Sequence, residues 1–266
     1  MSANTVMVTV NFLSSVRSKD VAAQFFELFS SLYPELRFEL MGEIPTSKRE
    51  RFDRLKALEE WERDRGSRGV VRADYQFEGK SPLPFYASVI WHGQGTHHTW
   101  SDSIGVQFDE RFWIGDKPKN FTDRAVQLLI GLAELGSVLY GDGAHWSEFE
   151  EKNSITMRLP DGRVAREISG VRPRKGLGDI YWANLFGKPY IDLFGRENLM
   201  RVEATRMEFA RDNVLLIFGS GPFDWKRTDI RNMQEKARLM LDRNAFVDKS
   251  TGLKPNLNIG GSSGAR

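Results

Sequence analysis

The sequence predicts an α+β domain whose mainly antiparallel sheet has helices packed on it. Short segments with the period-two alternation of strands outnumber the amphipathic helical segments, and the two kinds do not alternate strictly along the chain. Two short polar turns, around Asp161 and Asp212, each separate a pair of apolar segments. Such turns predict two β-hairpins, over residues 155–168 and 204–218.

We predict one domain over residues 1–249, because apolar periodicity continues almost to that point. Residues 250–266 are rich in Gly, Ser and Asn and poor in apolar groups, so burial there cannot offset the entropy lost on ordering. We therefore expect a disordered tail after the domain.

A strand and a helix begin the domain. Alternating apolar residues over 6–12 predict a strand with one buried face. Ser18 is a suitable cap for the helix that follows, and Pro34 ends it. Residues 36–41 are predicted to return as a strand.

Residues 47–65 are predicted to form a highly charged helix. Ser47 and Glu50 have the spacing of a capping box, and the apolar side chains form only a narrow stripe. Two interpretations are open: a solvated helix on the domain surface, or a helix that binds a partner.

Three further strands are predicted at residues 70–77, 85–91 and 103–108. Residues 124–135 are apolar almost all round, which predicts a helix covered on both sides. This helix and the strand predicted at 137–140 have the order of the first helix and its strand. The order indicates a recurring helix-on-sheet unit.

The stretch from residue 176 to 225 organises the C-terminal part. Residues 179–186 are aromatic and branched, which predicts a strand buried on both faces. Pro189 suits the first turn of a short helix that Gly195 closes, and the second hairpin follows. Thr228 or Asp229 is predicted to cap a final amphipathic helix.

The segment YWANLFGKPYIDLFG at 181–195, the hairpin after it, the Phe223-Asp224-Trp225 corner and the final helix resemble the C-terminal half of certain bacterial immunity proteins. The similarity is to the immunity protein 52 family and its relatives. Those proteins are cytoplasmic inhibitors encoded beside polymorphic toxins and type VI secretion effectors. The resemblance covers residues 176–243, and the N-terminal half shares only the layout. It implies an immunity protein that binds and neutralises a cognate protein toxin stoichiometrically.

Composition narrows the other possibilities. The formal net charge of +2 gives no reason to expect a nucleic-acid or membrane partner. The chain has no cysteine, hence no disulfide and no thiolate nucleophile. The N-terminal residues lack the features of a secretion signal, so we expect a cytoplasmic protein.

The histidines are the only candidates for chemistry. His92, His97, His98 and His145, with Asp142 nearby in sequence, include residue types that bind zinc or transfer protons. A metal-dependent hydrolase is therefore one alternative, and a polar loop at a strand end is the other. Their spacing matches no metal motif, so we expect no catalytic residue, no metal and no cofactor.

A basic loop precedes the central stretch. It contains Arg166, Arg172, Arg174 and Lys175, which could contact phosphate or could form a solvated connector.

Residues 140–151 combine aromatic side chains with clustered acids, a composition typical of protein interfaces. The candidate partner-binding residues are Tyr140, Asp142, His145, Trp146, Glu148, Phe149, Glu150 and Glu151. An ordinary surface is the alternative, as is a core position for Trp146. A regulatory interaction domain without a toxin partner is the third class of function, after the toxin inhibitor and the hydrolase.

Overall fold

The computed structural model describes residues 4–44, 48–63, 72–92, 100–114, 118–158, 161, 163–168, 172–248, 251 and 253–259. Its strands are β1 (Thr5–Phe12), β2 (Leu40–Ile44), β3 (Glu50–Arg51), β4 (Arg72–Gly79), β5 (Phe85–His92), β6 (Asp102–Asp109), β7 (Val138–His145), β8 (Ser154–Arg158), β9 (Val164–Ile168), β10 (Ala183–Phe186), β11 (Arg206–Ala210) and β12 (Asn213–Ile217). Its α-helices are α1 (Lys19–Leu32), α2 (Arg54–Glu62), α3 (Pro118–Ala133), α4 (Trp146–Asn153), α5 (Lys188–Phe194), α6 (Arg196–Arg201) and α7 (Thr228–Met240).

The predicted α+β class is confirmed. Ten of the described strands form one antiparallel sheet in the order β11-β12-β10-β7-β1-β6-β5-β4-β2-β3, and β8 pairs with β9 in a separate hairpin. The N-terminal strand β1 therefore lies in the middle of the sheet, between β6 and β7.

One face of the sheet, the inner face, is covered by α1, α2 and α3. Alternate residues of β1, such as Val8 and Val10, pack there in one hydrophobic cluster with side chains of the three helices. Aromatic rings fill much of it: Phe29 of α1 stacks on Phe85 with 5.3 Å between ring centroids. This cluster spans the sheet from Met41 of β2 to Ala210 of β11.

Among the described residues, the hydrophobic layer on the outer face lies over its C-terminal half. A second cluster packs Phe186 and Leu216 of the sheet against α5, α6 and α7, and it contains no residue of β4, β5 or β6. On those strands and on β1, the outward positions carry polar side chains such as Thr9, Ser88 and Gln76, which solvent partly reaches. We call the part of the outer face under this cluster the covered half and the part formed by β1, β6, β5 and β4 the bare half. The boundary between them, at β7, is the step.

Two predicted boundaries are wrong in the N-terminal half. The strand predicted at 36–41 begins at Leu40 and runs to Ile44. The charged helix begins after Asp53, whose carboxylate accepts from the Lys56 backbone N–H, while Ser47 lies outside the described residues. This helix buries Trp61, whose indole donates to Val16 O at 2.9 Å, and leaves its charged side in solvent.

The strand predicted at 179–186 is shorter, although its burial is confirmed. Asn184 explains the difference. Its side-chain oxygen accepts from Tyr181 N at 2.9 Å and its amide donates to Tyr181 O at 2.8 Å. A side chain thus replaces strand pairing at this point. The final helix also differs, since Arg227 precedes it without a side-chain cap.

Part of the predicted tail lies against the domain. Leu257 N donates to Lys175 O at 2.9 Å, Ile259 N donates to Arg174 O at 3.0 Å, and the Ile259 side chain is buried. The boundary at residue 249 and the disorder of the tail remain predictions. None of the described helices has the length and apolar character needed to cross a membrane.

The inner cluster generates a stability prediction. Leu129 and Leu185 are fully buried in it, so Leu129→Asp and Leu185→Asp each place an unpaired charge in the core. We expect each variant to lose more than about 3 kcal/mol of unfolding free energy, measured by urea denaturation. The control is Leu55→Asp, because Leu55 is 75% exposed. Equal stability of the core variants and the control would contradict this assignment.

Candidate functional site

The candidate interface at 140–151 is not a loop. Strand β7 continues to His145 and leads directly into α4. Gly141 and Gly143 explain why the strand predicted at 137–140 was not extended to His145. A Cβ on Gly141 would lie 3.0 Å from Thr9 O, and one on Gly143 would lie 3.1 Å from the Trp182 ring. Close packing therefore favours glycine at these positions, although glycine lowers strand propensity.

Three of the eight candidates lie inside the protein. Tyr140 is 3% exposed, His145 5% and Glu148 0%. Tyr140 donates its hydroxyl hydrogen to Asn184 Oδ1 at 3.0 Å beneath the second cluster. Each of these three side chains is buried and makes its contacts within the fold, and the partner-binding role of the segment stays a prediction.

His145 caps α4. Its Nδ1 accepts from the Ser147 backbone N–H at 3.1 Å, so this nitrogen carries no proton. The proton is then on Nε2, which lies 3.1 Å from Glu110 Oε2 and donates to it. Burial lowers the pKa of His145, which favours the neutral ring that the cap requires.

A buried ion pair joins α4 to the rest of the outer layer. Lys152 Nζ donates to Glu148 Oε1 at 2.7 Å, to Ile180 O at 2.5 Å and to Gln234 Oε1 at 2.7 Å. Gln234 Nε2 donates to Glu148 Oε1 at 3.0 Å, and Trp182 N donates to Glu148 Oε2 at 3.2 Å. Desolvation raises the pKa of Glu148, and the Lys152 ammonium acts against that rise. We call these five residues the α4 network.

An aromatic row lies outside the α4 network. Trp146 stacks on Phe149 at 5.6 Å between centroids, and Phe149 stacks on Tyr181 at 5.8 Å. Trp146 and Phe149 are each half-buried, so one side of each ring reaches solvent.

Two acids accompany the row. Glu150 is half-buried, and Glu151 is exposed and paired with Arg231 of α7. We call Trp146, Phe149, Glu150 and Glu151 the α4 surface.

Asp142 lies at the step of the outer face. It is paired in register with Thr9 on the bare side and Asn184 on the covered side. Burial, followed by the charge of Glu148, raises its pKa from 3.8 to about 7. Within the described part of the chain, no group donates a hydrogen bond to this carboxylate.

The two described members of the predicted histidine group, His92 and His145, lie far apart. His92 N donates to Asp102 Oδ1 at 2.9 Å, and Asp102 pairs with Phe12 at one end of β1. His145 pairs with Val6 at the other end. Six strand residues span roughly 20 Å, too far for one metal ion. His97 and His98 lie outside the described residues, among which no three potential ligands cluster.

Two arginines of the basic loop, Arg172 and Arg174, make contacts within the fold. The Arg174 side chain is buried, and it donates to Trp100 O at 2.9 Å and to Leu13 O at 2.7 Å. The Arg172 guanidinium lies 3.5 Å from the centroid of the Trp100 ring, as a cation–π contact. Arg174 thereby links the segment after β1 to the segment before β6. Neither a phosphate contact nor a solvated connector, the two interpretations from the sequence, predicted this role.

No protein-family profile matches the chain, and no curated protein matches it significantly. Among solved structures, Pseudomonas aeruginosa T6SS protein PA0821 is similar, with a TM-score of 0.58 and 12% sequence identity. The match covers 94% of this chain and 78% of that one. At this identity the similarity shows a shared fold and nothing beyond it.

The α4 network generates a second prediction. Glu148→Ala leaves the Lys152 ammonium buried without its counter-charge, and we expect a loss of about 3–5 kcal/mol of unfolding free energy by urea denaturation. Replacing both members, as Glu148→Leu with Lys152→Met, removes both charges and restores much of the loss. Glu151→Ala is the control and should cost under about 1 kcal/mol, because its pair is exposed. If Glu148→Ala is as stable as Glu151→Ala, the α4 network does not stabilise the fold.

Asp142 generates a prediction about pH. Its folded pKa is raised from 3.8 to about 7, so its contribution to stability is present below pH 3.8 and is lost as the pH rises through 7. Asp142→Asn removes this loss. Relative to the parent, we expect a gain in unfolding free energy that grows between about pH 4 and 7 and reaches about 1–3 kcal/mol.

Chemical denaturation at a series of pH values measures this gain. Asp192→Asn is the matched control, because Asp192 is an exposed carboxylate that pairs with Lys188. A gain that does not change with pH would show that the buried charge is not its cause.

Proposed function

We propose that this chain is an immunity-type protein that neutralises a cognate bacterial toxin by stoichiometric binding through the α4 surface. Two observations point to the biological setting. Residues 176–243 resemble immunity proteins encoded beside toxins and type VI secretion effectors. The fold is similar over 94% of the chain to that of a T6SS protein.

The aromatic row on α4 is the observation that carries the proposal. Tight protein interfaces depend on a few aromatic anchors that are already ordered before binding. Trp146 and Phe149 meet this requirement, because the α4 network fixes the helix beneath them and Tyr181 supports the row. Tyr181 is itself held by Asn153, whose amide donates to its hydroxyl at 2.6 Å. Little conformational entropy remains to be lost when a partner covers these rings.

The charges around the row give the partner its chemistry. Glu150 and Glu151 lie on the same short helix as the two rings. Carboxylates at the rim of an interface speed association with a basic surface and contribute less to affinity than the buried anchors. We therefore propose a toxin whose contact surface is basic and has an apolar recess for the rings.

Inhibition of this kind needs contact area and no reactive group. A bound protein can cover a toxin's active site without chemistry of its own, so the proposal includes no catalysis, no metal and no cofactor. It also includes a cytoplasmic location, where an inhibitor would meet a toxin delivered from another cell.

The test is a pair of truncations on α4. Trp146→Ala and Phe149→Ala should each weaken binding to the toxin encoded by the adjacent gene by about 30-fold to 1,000-fold, the effect of losing a hot-spot aromatic. Isothermal titration calorimetry measures the affinity, and a co-expression assay measures the protection. Thermal melting confirms that each variant folds.

Phe209→Ala is the matched control, because this ring is 51% exposed on the edge strand β11, which lies away from α4 in the sheet order. It should protect as the parent does. Full protection by the Trp146 and Phe149 variants would exclude the α4 surface. Absence of binding by the parent would leave a regulatory interaction domain as the better description.

A further inference from the structure

We propose that the bare half of the outer sheet face, with Asp142 at its step, receives a cationic side chain of a protein partner, with arginine the best fit. The proposal rests on the proposed function in taking that partner to be the toxin. It adds a second contact region, separate from the α4 surface, and it specifies the chemistry of the group that enters it.

The register places a polar row across the bare half. Gln76, Ser88, Gly105, Thr9 and Asp142 are consecutive partners on five strands. All five are neither fully buried nor fully exposed. A Cβ on Gly105 would lie 3.3 Å from Thr9 Oγ1 and 3.6 Å from Ser88 Oγ. The glycine therefore leaves both hydroxyls uncovered and available as acceptors.

A helix follows the last strand of the row. α4 continues directly from β7 and contacts both β7 and β1. Asp142 and Trp146 are four residues apart along this strand end, about 13 Å in extended chain, so one partner with an interface of standard size can contact both regions.

Among the described residues, no cation pairs with the Asp142 carboxylate. Arg49 pairs with Glu78 at 2.5 Å on the same face, so those two charges satisfy each other. Glu148, the nearest acid to Asp142 in the α4 network, is bonded to Lys152. Asp142 alone at the step combines partial burial with a carboxylate that accepts no hydrogen bond within the described residues.

A cation bound beside Asp142 would supply a counter-charge for its carboxylate. Burial and the charge of Glu148 raise the pKa of Asp142, and a positive charge within about 4–6 Å would favour the ionised carboxylate. A guanidinium fits best, because its five N–H donors can bind the Asp142 carboxylate and also the Thr9 hydroxyl on the neighbouring strand. A bare metal ion fits poorly, because the described residues offer no cluster of three ligands.

The experiment uses Nα-acetyl-L-argininamide as the probe and the full chain labelled with ¹⁵N. Chemical shifts are followed at about pH 8, where the carboxylate is ionised. Nα-acetyl-L-citrullinamide, an uncharged analogue of the same shape, is the matched ligand. We expect the arginine probe to shift the amides of Thr9, Gly105 and Asp142 at millimolar concentration. The citrulline analogue should bind about tenfold more weakly.

Asp142→Asn should weaken the arginine probe about tenfold, whereas Asp192→Asn should leave it unchanged. Equal binding of the two ligands, equal binding by Asp142→Asn, shifts confined to other regions, or no shift at all would each overturn the proposal. The result is independent of the toxin assay. The arginine site can be present while the α4 variants show that no toxin is neutralised, and the reverse result can also occur.

Discussion

The buried ammonium of Lys152 is the interaction on which the outer layer depends. Its three acceptors come from α4, from the irregular segment before β10 and from α7, so one charge fixes three elements. A buried charge is costly unless every donor is satisfied, and here Glu148, Ile180 and Gln234 satisfy all three. The same contacts fix the position of Trp146 and Phe149. Stability of the layer and order of the candidate interface therefore have one source.

The step in the outer face follows from how this layer is built. Helices from the C-terminal part cover β7, β10 and β12, and the layer stops at β1. The two rows of side chains that meet there differ in kind, since one is aromatic and the other polar. In the proposed interface, the rings would supply affinity and the carboxylate selectivity, as in interfaces where buried anchors and charged contacts have separate roles.

The sequence predicted most strands and helices, because alternation and helical spacing report burial directly. The predictions were wrong where the local sequence pattern conflicted with a contact to residues distant in sequence. Gly141 and Gly143 resemble a loop, and only the neighbouring β1 and Trp182 explain them. Trp146 and Phe149 were recognised as candidates. The burial of Glu148 was not, since its partner Gln234 is 86 residues away in sequence.

The central position of β1 affects how the protein is made. β1 is finished at residue 12, whereas β6 begins at residue 102 and β7 at residue 138. At roughly 5–20 residues per second, a ribosome needs on the order of ten seconds to synthesise both neighbours. During that time both edges of β1 lack their partner strands, so we expect the emerging chain to be prone to aggregation and to depend on chaperones until β7 has been made.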